Sequence, residues 1–476
     1  MTQFAEALRD AREPALEHGL ELLAQTWRGF DAARPMQPPI SEEVLALVRE
    51  PLPEVGVGVE RALDGVAKVL DESLSQARPC YFGYIGSSGL ETAVLADALA
   101  GSHDCNMAAE AAAANLVEQQ TLRWVAEYVG YPVVNGTFAS GGMVSNLTAL
   151  MAARTARFPD SREVGLAAYR PTVYTSADAH SSVGRAVEIL GVGSDNLRAV
   201  PVDAQRRMDA EALRALIAAD VAAGRTPMAV VATAGTTLTG AVDPLAAIAA
   251  VCADYDVWLH VDGAYGLPAA ASTRAGALFA GLELADSASV DAHKWLFVPK
   301  ACSVLMTRRP GALRAAFAHD ASYMVEDEGF TSAGGTYPVD ETLEYSRPFR
   351  SLKLWMALRA HGAGSFRVAI EENLRQAREL YADVVAHPRL EPMLGPPDLS
   401  VVPFRRRPRT GDVDDHNARL ARAMQADGRV YVTGAVIDGR TCLRPCVVNF
   451  RTTDDDVRSI VTLAEEIGTQ LEAVDS

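Results

Sequence analysis

From about residue 170 the chain alternates short apolar runs with amphipathic stretches, and this alternation constrains its fold more than any other feature. TVYTS (172–176), MAVVATA (228–234), VWLHVD (257–262), SASVD (287–291) and CSVLMT (302–307) read as buried strands. Between them lie helix-compatible segments such as SVGRAVEILG and VDPLAAIAAVCADY (242–255). The second should start with Asp243 as N-cap and Pro244 at its first position. Strands separated by helices imply a doubly wound, mostly parallel sheet. Such sheets bind ligands beyond the carboxyl ends of their strands. His180, Asp262 and Lys294 fall at those ends.

The flanking regions are simpler. Residues 1–30 read as an amphipathic helix, with Phe4, Leu8, Leu16, Leu20, Leu23 and Trp27 on one apolar surface. RPMQPPI (34–40) breaks it, and further helical patterns cover about 106–129 and 143–157. The stretch 311–347, containing GFTSAGGTYP, has few regularly spaced apolar residues. It is long for a connection and reads as a functional lid. Helices resume at 351, and 397–476 combines a hairpin-like VYVTGAVIDGRTCLRP with a final helix. The expected division is an N-terminal helical segment (1–75), a large α/β domain (76–355) and a smaller C-terminal α/β domain (356–476).

Composition excludes several function classes. Of the 476 residues, 49% are hydrophobic and 22% charged, enough apolar surface to offset the entropy of ordering the chain. A net charge of −17 without a basic stripe argues against nucleic-acid binding. No window approaches the roughly 18 apolar residues of a membrane span. The charged N-terminus lacks the apolar core of a signal peptide, so a cytoplasmic protein is expected. The six cysteines lie in apolar surroundings and read as reduced core thiols. Cys442 and Cys446 are not followed by a second Cys/His pair, so no metal site is expected.

Five motifs carry chemistry together. In SVDAHKW (289–295), Lys294 follows a short apolar strand, where an ammonium is costly unless paired or used. In HVDGAYG (260–266), Asp262 ends a buried strand, and Gly263, Ala264 and Gly266 leave room for a flat ligand. A buried aspartate needs a cationic partner or several donors, and a protonated pyridine nitrogen supplies the first. A Schiff-base lysine with an aspartate facing a ring nitrogen is what pyridoxal 5′-phosphate demands. NGTFASGGMVSNLTAL (135–150) adds a glycine pair, Gly141 and Gly142, at a helix start suited to phosphate. SADAHSSVGR (176–185) places His180 to cover the ring, and TAGTTLTGAVDP (233–244) offers the hydroxyls of Thr236 and Thr237. Each motif alone has an ordinary structural reading; their conjunction points to the cofactor.

With DAHKW, HVDGAY, TAGTT, DAHSSV, RPFRSLKLW (347–355) and LRPCVVNFRTT (443–453) in this order, the chain resembles the group II pyridoxal-phosphate-dependent amino-acid decarboxylases, which include aromatic-L-amino-acid decarboxylases. The resemblance implies an aspartate-aminotransferase-like fold (fold type I), an intertwined homodimer and decarboxylation of an L-amino acid to an amine and carbon dioxide. It makes Lys294 the Schiff-base lysine and Asp262 the partner of the ring nitrogen. Ala264 would pack under the ring and His180 would stack above it. Gly141, Gly142 and Met143 would form the phosphate turn, with Thr236, Thr237, Asp291 and His293 beside the cofactor. Met143 stands where the family usually has serine, so phosphate binding there falls to backbone N–H groups. Asp291 stands where several members have asparagine; because a carboxylate repels phosphate, its backbone or an outward rotamer should serve.

The same resemblance makes Tyr323 the phenol that protonates Cα after carbon dioxide leaves, which favours the amine over the aldehyde made by relatives with phenylalanine there. It assigns Tyr84, Ser87 and His180 to the substrate pocket. Gln76, Asp104 and Asn106 would make that pocket more polar than in aromatic-specific relatives, with Asp104 a candidate selector of cationic or hydroxylated side chains. An aromatic L-amino acid is the first reading. An aliphatic, acidic or polar amino acid, and a related aldehyde synthase, lyase or aminotransferase reaction, stay open.

Overall fold

The computed structural model describes residues 12–32, 39–108, 111–319 and 338–475. Its centre is a seven-stranded sheet: β1 (Asn135–Ala139), β2 (Pro171–Ser176), β3 (Leu197–Val200), β4 (Thr226–Thr233), β5 (Trp258–Asp262), β6 (Ser287–Val290) and β7 (Ser303–Thr307). The order is β1-β7-β6-β5-β4-β2-β3. The strands from β3 to β6 pair in parallel, whereas β7 runs antiparallel to both β6 and β1. The mostly parallel sheet expected from the alternation is therefore present, with an antiparallel edge.

β1 and β3 were not foreseen. NGTFA opens with Asn and Gly, both poor strand formers, and LRAV has only four residues. β1 forms because Phe138 and Ala139 are buried against β7 in the main core.

Helices cover both faces, as a sheet buried on both sides requires. Counting from the N-terminus, the longer helices up to residue 255 are α1 (Arg12–Gly29), α2 (Glu42–Arg49) and α3 (Val59–Asp71), which pack on one another, then α4 (Glu91–His103), α5 (Ala113–Val129), α6 (Gly142–Arg157), α7 (Ser182–Ile189), α8 (Ala210–Ala222) and α9 (Leu245–Tyr255). α6, β2, β4 and α7 share one apolar cluster through Leu150, Val173, Val183 and Val231. α5, α8 and α9 close the other through Val125, Ile217 and Ile248, against Val230, Leu259 and Val261.

The start of α9 corrects an expectation. Its N-cap is Pro244, not Asp243. Asp243 is fully buried and accepts the backbone N–H groups of Met208 and Thr233, both at 2.7 Å. Burial raises its carboxyl to about 6, against the pull of those two donors.

α10 (Ser351–Ala386) changes direction at Gly362, whose φ of 73° is left-handed. Leu354, Phe366 and Leu374 pack into the large core, and Ala377, Leu380 and Val384 into a second one. That second core lies under a four-stranded antiparallel sheet, β8 (Leu390–Pro392), β9 (Phe404–Arg406), β10 (Thr433–Ile437) and β11 (Arg440–Arg444), in the order β10-β11-β9-β8. β10 and β11 form the expected hairpin. Asp438 and Gly439 turn it with φ of 49° and 74°, the positive pair a two-residue turn needs. α11 (Val413–Asp427) and α12 (Asp454–Asp475) pack on the sheet through Leu420, Met424 and Ile460. All six cysteines are free thiols, and no cluster able to hold a metal occurs among the described residues. No helix among them is long and apolar enough to cross a membrane.

Candidate active site

Four strand ends and one helix start converge on a cavity of about 320 Å³. Its walls include Gly141, Gly142 and Met143 at the start of α6, His180 after β2, Thr237 after β4, Asp262 and Ala264 at the end of β5, and Asp291 and Lys294 after β6. The parallel pairing of β2, β4, β5 and β6 brings these carboxyl ends to one edge.

Asp262 is only 6% exposed. Its Oδ1 accepts the N–H of Ala264 at 3.1 Å, and its Oδ2 accepts an N–H of Asn146 at 2.8 Å. Each oxygen keeps a further lone pair. Lys294 sits on the one-turn helix Ala292–Trp295, and its Nζ lies 3.0 Å from Asp291 Oδ2. Asp291 therefore points inward, not outward as phosphate repulsion suggested; the Lys294 ammonium draws it in. His293 approaches the same oxygen at 3.7 Å, and its ring Nδ1 lies 2.9 Å from the carbonyl oxygen of Cys302.

α6 begins at Gly142 with no side-chain cap, leaving its first N–H groups available. A Cβ on Gly142 would lie 3.1 Å from both Ala264 Cβ and Asp291 Oδ2, so a side chain there would crowd both neighbours. His180 is exposed, and its Nδ1 accepts the N–H of Ser182 at 3.2 Å. This cradle fits pyridoxal phosphate: an amine, a carboxylate with spare lone pairs, and free helix-terminal N–H groups in one cavity. Two buried polar atoms on the wall, Thr233 Oγ1 and Asp291 Oδ1, have no hydrogen-bond partner. A polar guest satisfies such atoms.

Other nominated residues are used differently. Thr236 is fully buried, and its hydroxyl bonds Thr239 Oγ1 at 2.9 Å to close its own turn. Tyr84 is 56% exposed, and Ser87 donates to the carbonyl of Val298; neither lines the cavity. Asp104 ends α4 in the left-handed conformation, Asn106 accepts the N–H of Ala108, and Gln76 accepts from Lys300. A substrate-selecting role for Asp104 finds no support in that geometry. Tyr323 lies outside the described residues, as do residues 320–337 of the 311–347 stretch read as a lid; its described ends include the helices Ala312–Phe317 and Pro338–Glu341.

The sequence reading missed Asn146, Ser182, Thr233 and Tyr265 on the cavity wall, and His260 behind it. Two signals could have found the central pair. Asn146 is one helical turn after Gly142, on the same side of α6. His260 is two residues before Asp262, on the same face of β5.

Comparison with known proteins agrees with this geometry. The family model described as the pyridoxal-dependent decarboxylase conserved domain matches residues 43–407. An aromatic-L-amino-acid decarboxylase of Bacillus atrophaeus is 31% identical over 449 residues, covering 91% of this chain and 92% of the relative. An L-2,4-diaminobutyrate decarboxylase of Rhizobium meliloti is 34% identical over 439 residues, covering 89% and 85%. The crystal structure of Oryza sativa TDC with PLP and tryptamine superposes with a TM-score of 0.91 at 26% identity, covering 97% of this chain and 98% of that one.

Proposed function

Since the chain belongs to the pyridoxal-dependent decarboxylase family and is a PLP-dependent amino-acid decarboxylase, we propose that the cavity at the β5 and β6 ends is its catalytic centre and that its substrate is an aromatic L-amino acid. The observation that carries the first part is the meeting of Lys294 and Asp262 on one enclosed wall beside the uncapped start of α6. The near-complete overlap with an aromatic-amino-acid decarboxylase supports the second. The diaminobutyrate relative covers nearly as much of the chain, so a cationic aliphatic substrate is the alternative.

When bound, pyridoxal phosphate supplies an electron-accepting ring that takes up the electron pair left at Cα as carbon dioxide departs. The chain's residues do the rest. Lys294 Nζ is the amine that anchors the cofactor aldehyde. Asp262 holds a proton at the ring nitrogen, a charge pair worth several kcal/mol at an intermediate effective dielectric. The N–H groups at Gly142 and Met143 would hold the phosphate, and Ala264 and His180 would flank the ring. Which Cα bond breaks would be set by how the chain's residues position the substrate. Tyr323 then delivers a proton to Cα.

We read the enzyme as a cytoplasmic homodimer. Six free thiols, four of them buried, accord with a reducing compartment. Leu16, Leu20, Val48, Val66 and Leu70 expose apolar surface on α1–α3, which accords with packing of the N-terminal segment on a partner subunit.

A panel of L-amino acids scored for released carbon dioxide and amine tests the substrate. Release from phenylalanine, tyrosine or tryptophan derivatives is the expected result. Release from diaminobutyrate alone would replace it.

A further inference from the structure

Behind the cavity a chain of polar groups runs along one face of β5 into Asp262. Trp258, His260 and Asp262 share that face because strand side chains alternate. The register with β6 sets Ser287 opposite His260 and Ser289 opposite Asp262. Asn146 reaches the same face from α6. His260, Asn146, Ser287 and Ser289 are each at most 1% exposed.

The distances form an unbroken series. Trp258 Nε1 lies 2.9 Å from Ser287 Oγ, and Ser287 Oγ lies 2.9 Å from His260 Nδ1. His260 Nε2 lies 3.0 Å from Asn146 Oδ1, and Asn146 Nδ2 lies 2.8 Å from Asp262 Oδ2. Asn146 Nδ2 also donates to Ser182 Oγ at 3.0 Å, and Ser289 Oγ approaches Asn146 Oδ1 at 3.4 Å.

Chemistry fixes the direction of each bond. An ionised carboxylate only accepts, so Asn146 must turn its amino group to Asp262 and its carbonyl oxygen to His260. His260 Nε2 must then carry a proton. Burial pushes this imidazole down to about 4, against the pull of Asp262, so it is neutral and has one N–H. Its Nδ1 therefore accepts the hydroxyl proton of Ser287. That leaves the Ser287 oxygen free to accept the indole N–H of Trp258, which can only donate. Every proton in the chain points towards Asp262. With the Ala264 N–H on the other oxygen, the carboxylate is held from both sides.

We propose that Asn146 and His260 are positioning residues that hold the Asp262 carboxylate in the orientation that keeps a proton on the cofactor's ring nitrogen. This rests on the reading that Asp262 faces that nitrogen. A tautomer-fixed imidazole with a serine behind it cannot rotate or reverse its bonds without leaving a buried group unpaired, which is costly. Polar partners one layer behind a ligand-binding group commonly set its affinity, by 10–100-fold where metal ligands have been examined.

The test uses the full-length protein, with pyridoxal phosphate labelled with 15N in its ring. Two quantities are read: the ring-nitrogen chemical shift of the holoenzyme and the cofactor dissociation constant by equilibrium dialysis. His260→Leu and Asn146→Leu are expected to move the shift towards that of an unprotonated ring and to weaken cofactor binding by about tenfold. His260→Gln, which keeps an N–H donor, should restore both. Ser287→Ala removes only the hydroxyl and should shift both in the same direction by less, which keeps the test open if a leucine variant fails to fold. Wild-type shift and affinity in the folded variants would overturn the proposal. Asp262→Asn separates the two levels. If it leaves the 15N shift unchanged, the assignment of Asp262 to the ring nitrogen fails. If it alone moves the shift, only the role of Asn146 and His260 fails.

Discussion

The large sheet and the small sheet each bury a polar network, and the networks differ in what they leave unspent. In the large sheet, neutral groups from Trp258 to Asn146 pass donors along β5 to Asp262, whose carboxylate keeps lone pairs facing a cavity. In the small sheet, Arg406 on β9 has a fully buried side chain and is consumed from all sides. It bonds Glu465 at 2.9 Å, Glu472 at 2.7 Å, Thr469 at 3.0 Å and the His416 ring at 3.0 Å. Burial tends to raise the Glu472 carboxyl, but the bonds from Arg406 and Arg389 outweigh it and hold the group at about 2. The Nε, Nη1 and Nη2 of Arg406 all have hydrogen-bond partners within the protein. A buried network with spare capacity at a cavity is poised for a ligand, whereas one closed on itself ties α12 to the sheet.

That contrast can be broken experimentally. The largest expected effect is at the open network: Lys294→Ala should bring carbon dioxide release to background and abolish the cofactor's visible absorbance while the protein still folds. Retained absorbance would separate the amine from the cofactor. Arg406→Met should act oppositely. It leaves Glu465 and Glu472 with Arg389 as their remaining cation and should cost about 3 kcal/mol in denaturant unfolding, with cofactor affinity in the folded fraction unchanged. A changed affinity would mean the two networks are coupled.

Product analysis of Tyr323→Phe probes the proton delivery. Less amine with more aldehyde and peroxide is expected, and an unaltered ratio would exclude the phenol as donor. The smallest effect is in pH dependence. The folded pKa of His260 lies below its unfolded value near 6.5, so its contribution to stability is complete above that value and is lost as pH falls towards 4. Between pH 7 and 5.5 this amounts to about 1 kcal/mol, and His260→Gln should flatten that part of the profile. Glu472, also depressed, should add its loss only at more acidic pH, below its ordinary value near 4.3.

Much of the site was legible because strand-end chemistry is local. Asp262 and Lys294 are conspicuous as charged residues at the ends of apolar runs, and the Gly141–Gly142 pair marks a helix start. The antiparallel direction of β7 was also within reach. Only twelve residues separate β6 from β7, too few for an ordinary helical crossover. Polar groups whose partners are distant were less legible. Asp243 looks like an N-cap from its neighbours but accepts the backbone N–H of Met208, with α8 and β4 between them in the chain. Thr236 looks like a free hydroxyl but closes a turn.

The amino-acid order by itself determined the strand runs, the hairpin turn and the types of reactive group at the strand ends, because these depend on periodicity and on neighbours a few residues apart. Only the tertiary structure decided which groups face the cavity and which face each other. Asn146 and Asp262 are 116 positions apart, and no local pattern says that an amide from α6 meets a carboxylate from β5 at 2.8 Å. Packing the helix onto the sheet makes that pair, and excluding water from it gives the contact its consequence.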